Sequence, residues 1–157
     1  YRFHVTGLSH DDSGFPSQDS KKIQYEIERM HNKIYRHQKE IEFNEEYETE
    51  DCEILVVAFG SVARSARSAV ARIRRRTSLK VGLFRPITVW PFPDKRLSAL
   101  LKNVRSVVVP EMNLGQMYWE VRRLANNDIP VIKCNLANGE PIPPNMIGKS
   151  IQEAATL

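Results

Sequence analysis

Two hydrophobic periods divide the chain. Over residues 20–46, Ile23, Ile27, Met30 and Ile34 recur at steps of three and four, with Tyr35, Gln38 and Ile41 continuing the series. That spacing lines one face of an α-helix. Asp19 or Ser20 can cap its start by accepting orphan backbone N–H bonds. The other positions are polar or charged, so the helix is expected on a surface. Its end carries Glu45, Glu46, Glu48 and Glu50, which oppose the helix dipole, so fraying and a linker are expected at residues 47–51. Residues 1–20 contain the turn formers His10-Asp11-Asp12-Ser13-Gly14-Phe15-Pro16 and read as irregular chain that needs a partner surface.

Past residue 53 the period changes. Residues 54–59 form a short unbroken apolar run, as in a strand covered on both faces. Gly60-Ser61 follows, then a helix to about residue 77 with Val62, Ala66, Ala69, Val70 and Ile73 inward. Further strands are predicted at 80–84, 106–109 and 130–136. Helices are predicted at 94–102, 116–126 and from Pro143-Pro144 to about 155. Pro110 lacks a ladder N–H and is expected to end the third strand early. Alternating strands and helices over 51–157 predict an α/β three-layer sandwich with a mostly parallel sheet. The domain reading is a connecting segment and long helix over 1–50, then a sandwich domain over 51–157.

A chain of 157 residues is long enough to bury a core without disulfides. No apolar stretch is long enough to cross a bilayer. The opening Tyr1-Arg2-Phe3-His4 has neither an initiator Met nor a signal-peptide pattern, so the chain reads as a fragment or a processed product. Cys52 and Cys134 form no CxxC, which fits buried thiols in a reducing, cytoplasmic setting. The net charge of +4 hides an asymmetry. Residues 1–53 hold 7 Lys/Arg and 13 Asp/Glu, whereas residues 54–157 hold 16 and 6. Nucleic acid is not the expected partner, because the basic half has neither interleaved aromatics nor a DNA-reading motif.

No Gly-rich phosphate loop, metal-ligand spacing or nucleophile elbow occurs, so no catalytic residue is assigned to this chain. Four features remain. Gly60-Ser61 at a strand-to-helix turn is either an ordinary helix cap or an anion site. The next helix is dense in arginine: Arg64, Arg67, Arg72, Arg74, Arg75 and Arg76. It presents either a solvated face or a dock for an acidic or phosphate-bearing partner. Glu111, Asn113, Gly115 and Gln116 sit at a strand's carboxyl end, as turn chemistry or as a ligand contact. Trp90-Pro91-Phe92-Pro93 is a rigid aromatic loop that serves either packing or an interface.

These motifs occur in an order that resembles the alpha subunits of 2-oxoacid:ferredoxin oxidoreductases, nearest the 2-oxoglutarate type. The resemblance rests on residues 1–16, on Ala58-Phe59-Gly60-Ser61, on residues 82–93 and on residues 111–116. It covers nearly the whole chain. It implies a fold like the C-terminal domain of transketolase, with parallel strands in the order second, first, third, fourth. The Gly60-Ser61 and 111–116 loops would then open into one crevice at the switch point. It also implies an enzyme that oxidatively decarboxylates a 2-oxoacid to acyl-CoA with ferredoxin reduction, using thiamine diphosphate, Mg2+ and an iron–sulfur cluster. The family's Tyr-Pro-Ile-Thr-Pro motif, used at the cofactor by the preceding domain, is absent, so none of these cofactors is expected on this chain alone. The implied partners are that N-terminal domain, the beta subunit and, through the complex, ferredoxin. His4, His10, Asp11, Trp90 and Phe92 are the expected inter-domain contacts. The rival reading is a stand-alone anion- or nucleotide-binding α/β module; a third is a pure interaction adaptor.

Overall fold

The computed structural model describes residues 2, 4 and 6–157. They form two compact units, residues 1–41 and 42–157.

In the first unit the turn formers close a small loop. A bridge joins His10 and Pro16, and the Asp11 carboxylate accepts from the Ser13 N–H at 2.9 Å. Helix α1 runs Ser20–Arg36. Asp19 caps it, its Oδ1 accepting from the Lys21 and Lys22 N–H groups at 2.9 and 3.1 Å. No residue of α1 is buried. The helix stops at His37, and a single turn, α2 (Gln38–Ile41), follows.

The long helix expected to residue 46 is therefore shorter, and its expected last residues form an edge strand that ends where the expected linker begins. Strand β1 (Asn44–Tyr47) pairs antiparallel with β3 (Val81–Pro86), Glu45 opposite Arg85 and Tyr47 opposite Leu83. The acidic run that would weaken a helix end is instead matched by arginines. Arg85 Nη1 lies 2.8 Å from Glu45 Oε2. Arg96 Nη2 donates to Glu46 Oε2 at 2.7 Å. Arg74 donates to the Glu48 carbonyl at 3.0 Å and to Asp51 at 2.5 Å. A charged edge strand also resists pairing with foreign strands. Because β1 belongs to the sheet, the second unit begins at Glu42 rather than at residue 51.

The remaining elements alternate: β2 (Ile54–Val57), α3 (Val62–Arg76), β3, α4 (Asp94–Leu101), β4 (Ser106–Glu111), α5 (Gln116–Leu124), β5 (Val131–Asn135) and α6 (Pro144–Ala154). The sheet order is β1-β3-β2-β4-β5, and every pairing except that of β1 is parallel. The four parallel strands thus take the expected order, with the switch point between β2 and β4. Strand β2 is fully buried. Its Ile54 and Val56 face a cluster with Val70 and Ile73 of α3 and Ile147 and Ile151 of α6. Its Leu55 and Val57 face Leu97 and Leu101 of α4 and Met117 and Val121 of α5. Each such side chain stabilises the fold by about 1.5–3 kcal/mol through burial, so helices on both faces are what a doubly apolar strand requires.

Strand β4 runs through Pro110 to Glu111, against the expected early stop. The Val107 N–H donates toward the β5 side, to the Pro130 carbonyl. Alternation turns residue 110 toward β2, whose pairing with β4 ends at Val56↔Val108, so the missing N–H costs no ladder bond. Gly82 marks a close approach: a Cβ there would lie 2.8 Å from the Glu48 carbonyl oxygen and 2.9 Å from the Cys52 Cβ.

Candidate functional site

The carboxyl ends of β2, β3 and β4 carry the residues singled out above, Gly60, Ser61 and Arg64 sharing one pocket and Glu111 and Asn113 engaged in hydrogen bonds of their own. At the end of β2, Gly60 takes φ +57°, a conformation that suits glycine. The Ser61 side chain makes no hydrogen bond to the helix it precedes. The turn lines a pocket of about 200 Å³ with Arg64, Arg67, Arg85 and Tyr47, and with Glu45 and Glu46 at its wall. The Arg67 guanidinium lies over the Tyr47 ring, 4.6 Å from its centroid. Arg85 is tied to Glu45, yet its Nε is buried without a partner. Tyr47, Glu45 and Arg85 escaped the sequence reading because β1 did. Asn44-Glu45-Glu46-Tyr47 has no apolar–polar alternation to mark a strand.

The second constellation lies against β5. Glu111 is fully buried. Its two carboxylate oxygens accept from the Met117 and Tyr118 N–H groups at 2.8 and 2.9 Å. Asn113 Oδ1 accepts from the Gly115 and Gln116 N–H groups at 2.7 and 3.0 Å, and its carbonyl accepts from Asn135 Nδ2 at 2.6 Å. Gly115 takes φ +118°, and a Cβ there would meet Lys133 Nζ at 3.2 Å. That lysine spans the Tyr118 ring at 4.4 Å and the Trp119 ring at 5.4 Å. The acceptors of Glu111 and Asn113 are thus occupied in holding the first turn of α5, whose unpaired N–H groups they satisfy. The neighbouring Met112 and Leu114 are exposed, Leu114 at 83%.

The aromatic loop divides. Trp90 is exposed, with Ile87 and Val89 beside it in sequence also exposed. Phe92 is buried in the α4–α5 core, with Arg123 over its ring at 5.8 Å. Phe92 is therefore a packing residue in this structure rather than an exposed contact. Arg123 is held by Asp94 at 2.6 and 2.8 Å and by Glu120 at 2.7 Å. In the first unit, His4, His10 and Asp11 line one hollow with Arg29, and His4 stacks on Phe15 at 4.8 Å.

Metal and thiol chemistry have little to work with. Among the described residues no group of three His, Cys, Asp or Glu could hold a metal. Cys52 and Cys134 are free and buried, and burial pushes both thiols above their ordinary pKa, away from the thiolate that clusters require.

Residues 52–147 match the family described as pyruvate:ferredoxin oxidoreductase core domain II. The chain is 39% identical over 151 residues to a 2-oxoglutarate synthase subunit KorA of Methanocaldococcus jannaschii, covering 96% of this chain and 40% of that protein. It is 38% identical over 112 residues to a ketoisovalerate oxidoreductase subunit VorB of Methanothermobacter marburgensis, covering 71% of this chain and 31% of that protein. Among solved structures, a 2-oxoglutarate:ferredoxin oxidoreductase from Magnetococcus marinus, with 2-oxoglutarate, coenzyme A and succinyl-CoA bound, superposes with a TM-score of 0.71. The two are 27% identical, over 96% of this chain and 26% of that one. A split-gene transketolase, as an inactive β4 tetramer, superposes at 0.58 over 69% of this chain and 40% of that one. At 21% identity it speaks for the fold alone.

Proposed function

The chain belongs to the family of the pyruvate:ferredoxin oxidoreductase core domain II, and from that membership we propose that it forms the transketolase-C-terminal-like part of an alpha-type subunit of a 2-oxoacid:ferredoxin oxidoreductase. The reaction of the whole enzyme in this reading is oxidative decarboxylation of a 2-oxoacid, with the acyl group passing to coenzyme A and electrons to ferredoxin. 2-Oxoglutarate is the substrate we assign, because the relative aligned over 96% of this chain is a 2-oxoglutarate synthase subunit. That alignment is the observation that carries the proposal.

Within such an enzyme the role of this chain is assembly. The acidic groups that might serve chemistry are engaged elsewhere: Glu111 holds α5 and Glu46 holds Arg96. Its residues do not fit Mg2+ or an iron–sulfur cluster, since the two thiols are buried apart and no carboxylate cluster is present among the described residues, and thiamine diphosphate is assigned elsewhere with them. In this reading those groups are held by the rest of the alpha subunit and by the beta subunit. Trp90, with Ile87, Val89, Met112 and Leu114, offers exposed apolar surface for such contacts, and His4, His10 and Asp11 are proposed to meet the preceding domain. No helix among the described residues is long and apolar enough to cross a membrane; we assign the complex to the cytoplasm.

Co-expression of this chain with the thiamine-binding beta subunit and the preceding alpha domain tests the proposal. The expected result is a co-purifying complex that reduces ferredoxin only when 2-oxoglutarate and coenzyme A are both supplied. Failure to associate at any stoichiometry would sink it. The competing reading, a stand-alone anion-binding module, draws on the arginines around the Gly60-Ser61 turn.

A further inference from the structure

Arg64 and Arg67 are one turn apart on α3, so their side chains are neighbours on one face. Neither has a carboxylate partner among the described residues, whereas Arg74, Arg85, Arg96, Arg105 and Arg123 all do. The Tyr47 ring takes one face of the Arg67 guanidinium, which fixes its plane and leaves its in-plane N–H donors free. Arg85 brings a third guanidinium from β3 to the same pocket. Glu45 neutralises it, but its Nε remains buried and unpaired, an arrangement that costs free energy unless something else compensates. Glu46, the other acid at the wall, is spent on Arg96 and on the Thr49 hydroxyl. The pocket thus holds two like charges side by side, neither paired with a carboxylate among the described residues, a repulsion that a bound anion would relieve.

From these three guanidinium groups we propose that the pocket bounded by Arg64, Arg67, Arg85 and Tyr47 is a binding site for a phosphate monoester group. A dianionic phosphate matches the two uncompensated guanidiniums in charge, and each guanidinium presents a donor fork suited to its oxygens. The pocket volume of about 200 Å³ is below the roughly 300–1,000 Å³ that encloses a drug-sized ligand. The site therefore holds the phosphate and leaves the rest of the ligand outside. Gly60 and Ser61 complete the wall with backbone close to the anion and a hydroxyl that no helix N–H engages. The site is independent of the role proposed above, because it needs only this chain.

The test is an NMR titration of the full chain, following the Gly60, Ser61, Ala63 and Arg64 amides. Inorganic phosphate and adenosine monophosphate are added separately, with chloride at matched ionic strength as the control. Saturable shifts with either phosphate are expected. Equal affinity for the two assigns the site to free phosphate, and tighter binding of the monophosphate assigns it to a nucleotide-type ligand. Arg64→Gln and Arg67→Gln should each weaken binding about tenfold, the equivalent of one lost charge-assisted bond. Arg64→Lys should lose only a few-fold, and Arg76→Gln, at the far end of α3, should bind as the parent does. Shifts that never saturate and that chloride reproduces would mean an adventitious ion only. Undiminished binding in Arg64→Gln and Arg67→Gln together would equally overturn the site. Because the readout is binding to the chain alone, failure here leaves the subunit assignment untouched, and the reverse also holds.

Discussion

A carboxylate with no solvent exposure must be hydrogen-bonded or it destabilises the fold. Glu111 meets that condition with two backbone donors from the start of α5. Its replacement by Ala leaves those N–H groups buried and unpaired, at a cost of about 2 kcal/mol. Glu111→Gln keeps one good acceptor and should lose less. Urea unfolding of the three proteins measures this directly, and equal midpoints would show that the bonds contribute nothing. The sequence marked Glu111, Asn113, Gly115 and Gln116 as special but could not say for what. A polar side chain at a strand's carboxyl end looks the same whether it faces a ligand or the N–H groups a few residues on. Only the chain's path decides, and here Gly115 at φ +118° brings those N–H groups back onto Glu111 and Asn113. Ser61 illustrates the converse. Its position before a helix suggests a cap, yet its side chain makes no such bond.

Among the elements, those with a dense apolar pattern were legible and the one held by charges was not. Strands β2, β3, β4 and β5 and helices α3 to α6 fell within a few residues of their expected places, because burial on a sheet face or helix stripe dictates the spacing. Strand β1 has one aromatic, Tyr47, and its stability comes from pairing with β3 and from Arg85 and Arg96, up to 50 residues away. Local propensity cannot register partners at that distance. A chain starting at residue 42 should unfold cooperatively, whereas one starting at 51 should be less stable by about 3 kcal/mol, since it loses the packing of Tyr47 and exposes the edge of β3. Thermal or urea unfolding separates the two, and equal stability would show that β1 is an ornament on the sheet. The hydrogen bond from Arg96 lowers the Glu46 carboxyl below its ordinary value of 4.5. A lowered carboxylate stabilises the fold above its unfolded pKa, and that contribution fades as pH falls through the folded one. The stability difference between the parent and Glu46→Gln should therefore be full at pH 7 and shrink steadily below about pH 4.5. A difference that stays constant down to pH 3 would mean that the pair makes no pH-dependent contribution.

At the scale of the whole sandwich, residues 42–157, what matters for function is which end of the sheet is left uncovered. The helices bury both faces, and the acidic edge strand blunts one side. The carboxyl end instead exposes Ile87, Val89 and Trp90 after β3 and Met112 and Leu114 after β4. These two loops flank the β2 turn, with strands about 4.8 Å apart, so they form one end rather than two unrelated spots. A protein that works alone gains nothing from apolar side chains gathered there, whereas an assembly gains buried area. This separates stability from association experimentally. Leu114 is 83% exposed, so Leu114→Asp should shift unfolding by no more than about 0.5 kcal/mol. If the end is an interface, the same change places a charge in a desolvated contact and should release the beta subunit and preceding alpha domain on co-purification. Loss of the complex with an unchanged unfolding midpoint is the expected pair of results. An intact complex would move the interface elsewhere on the sandwich, with the arginine face of α3 the next surface to test by Arg72→Glu. A lowered midpoint would instead mean that Leu114 packs against its own domain, and the exposed end would then be a packing feature of the turn rather than a contact.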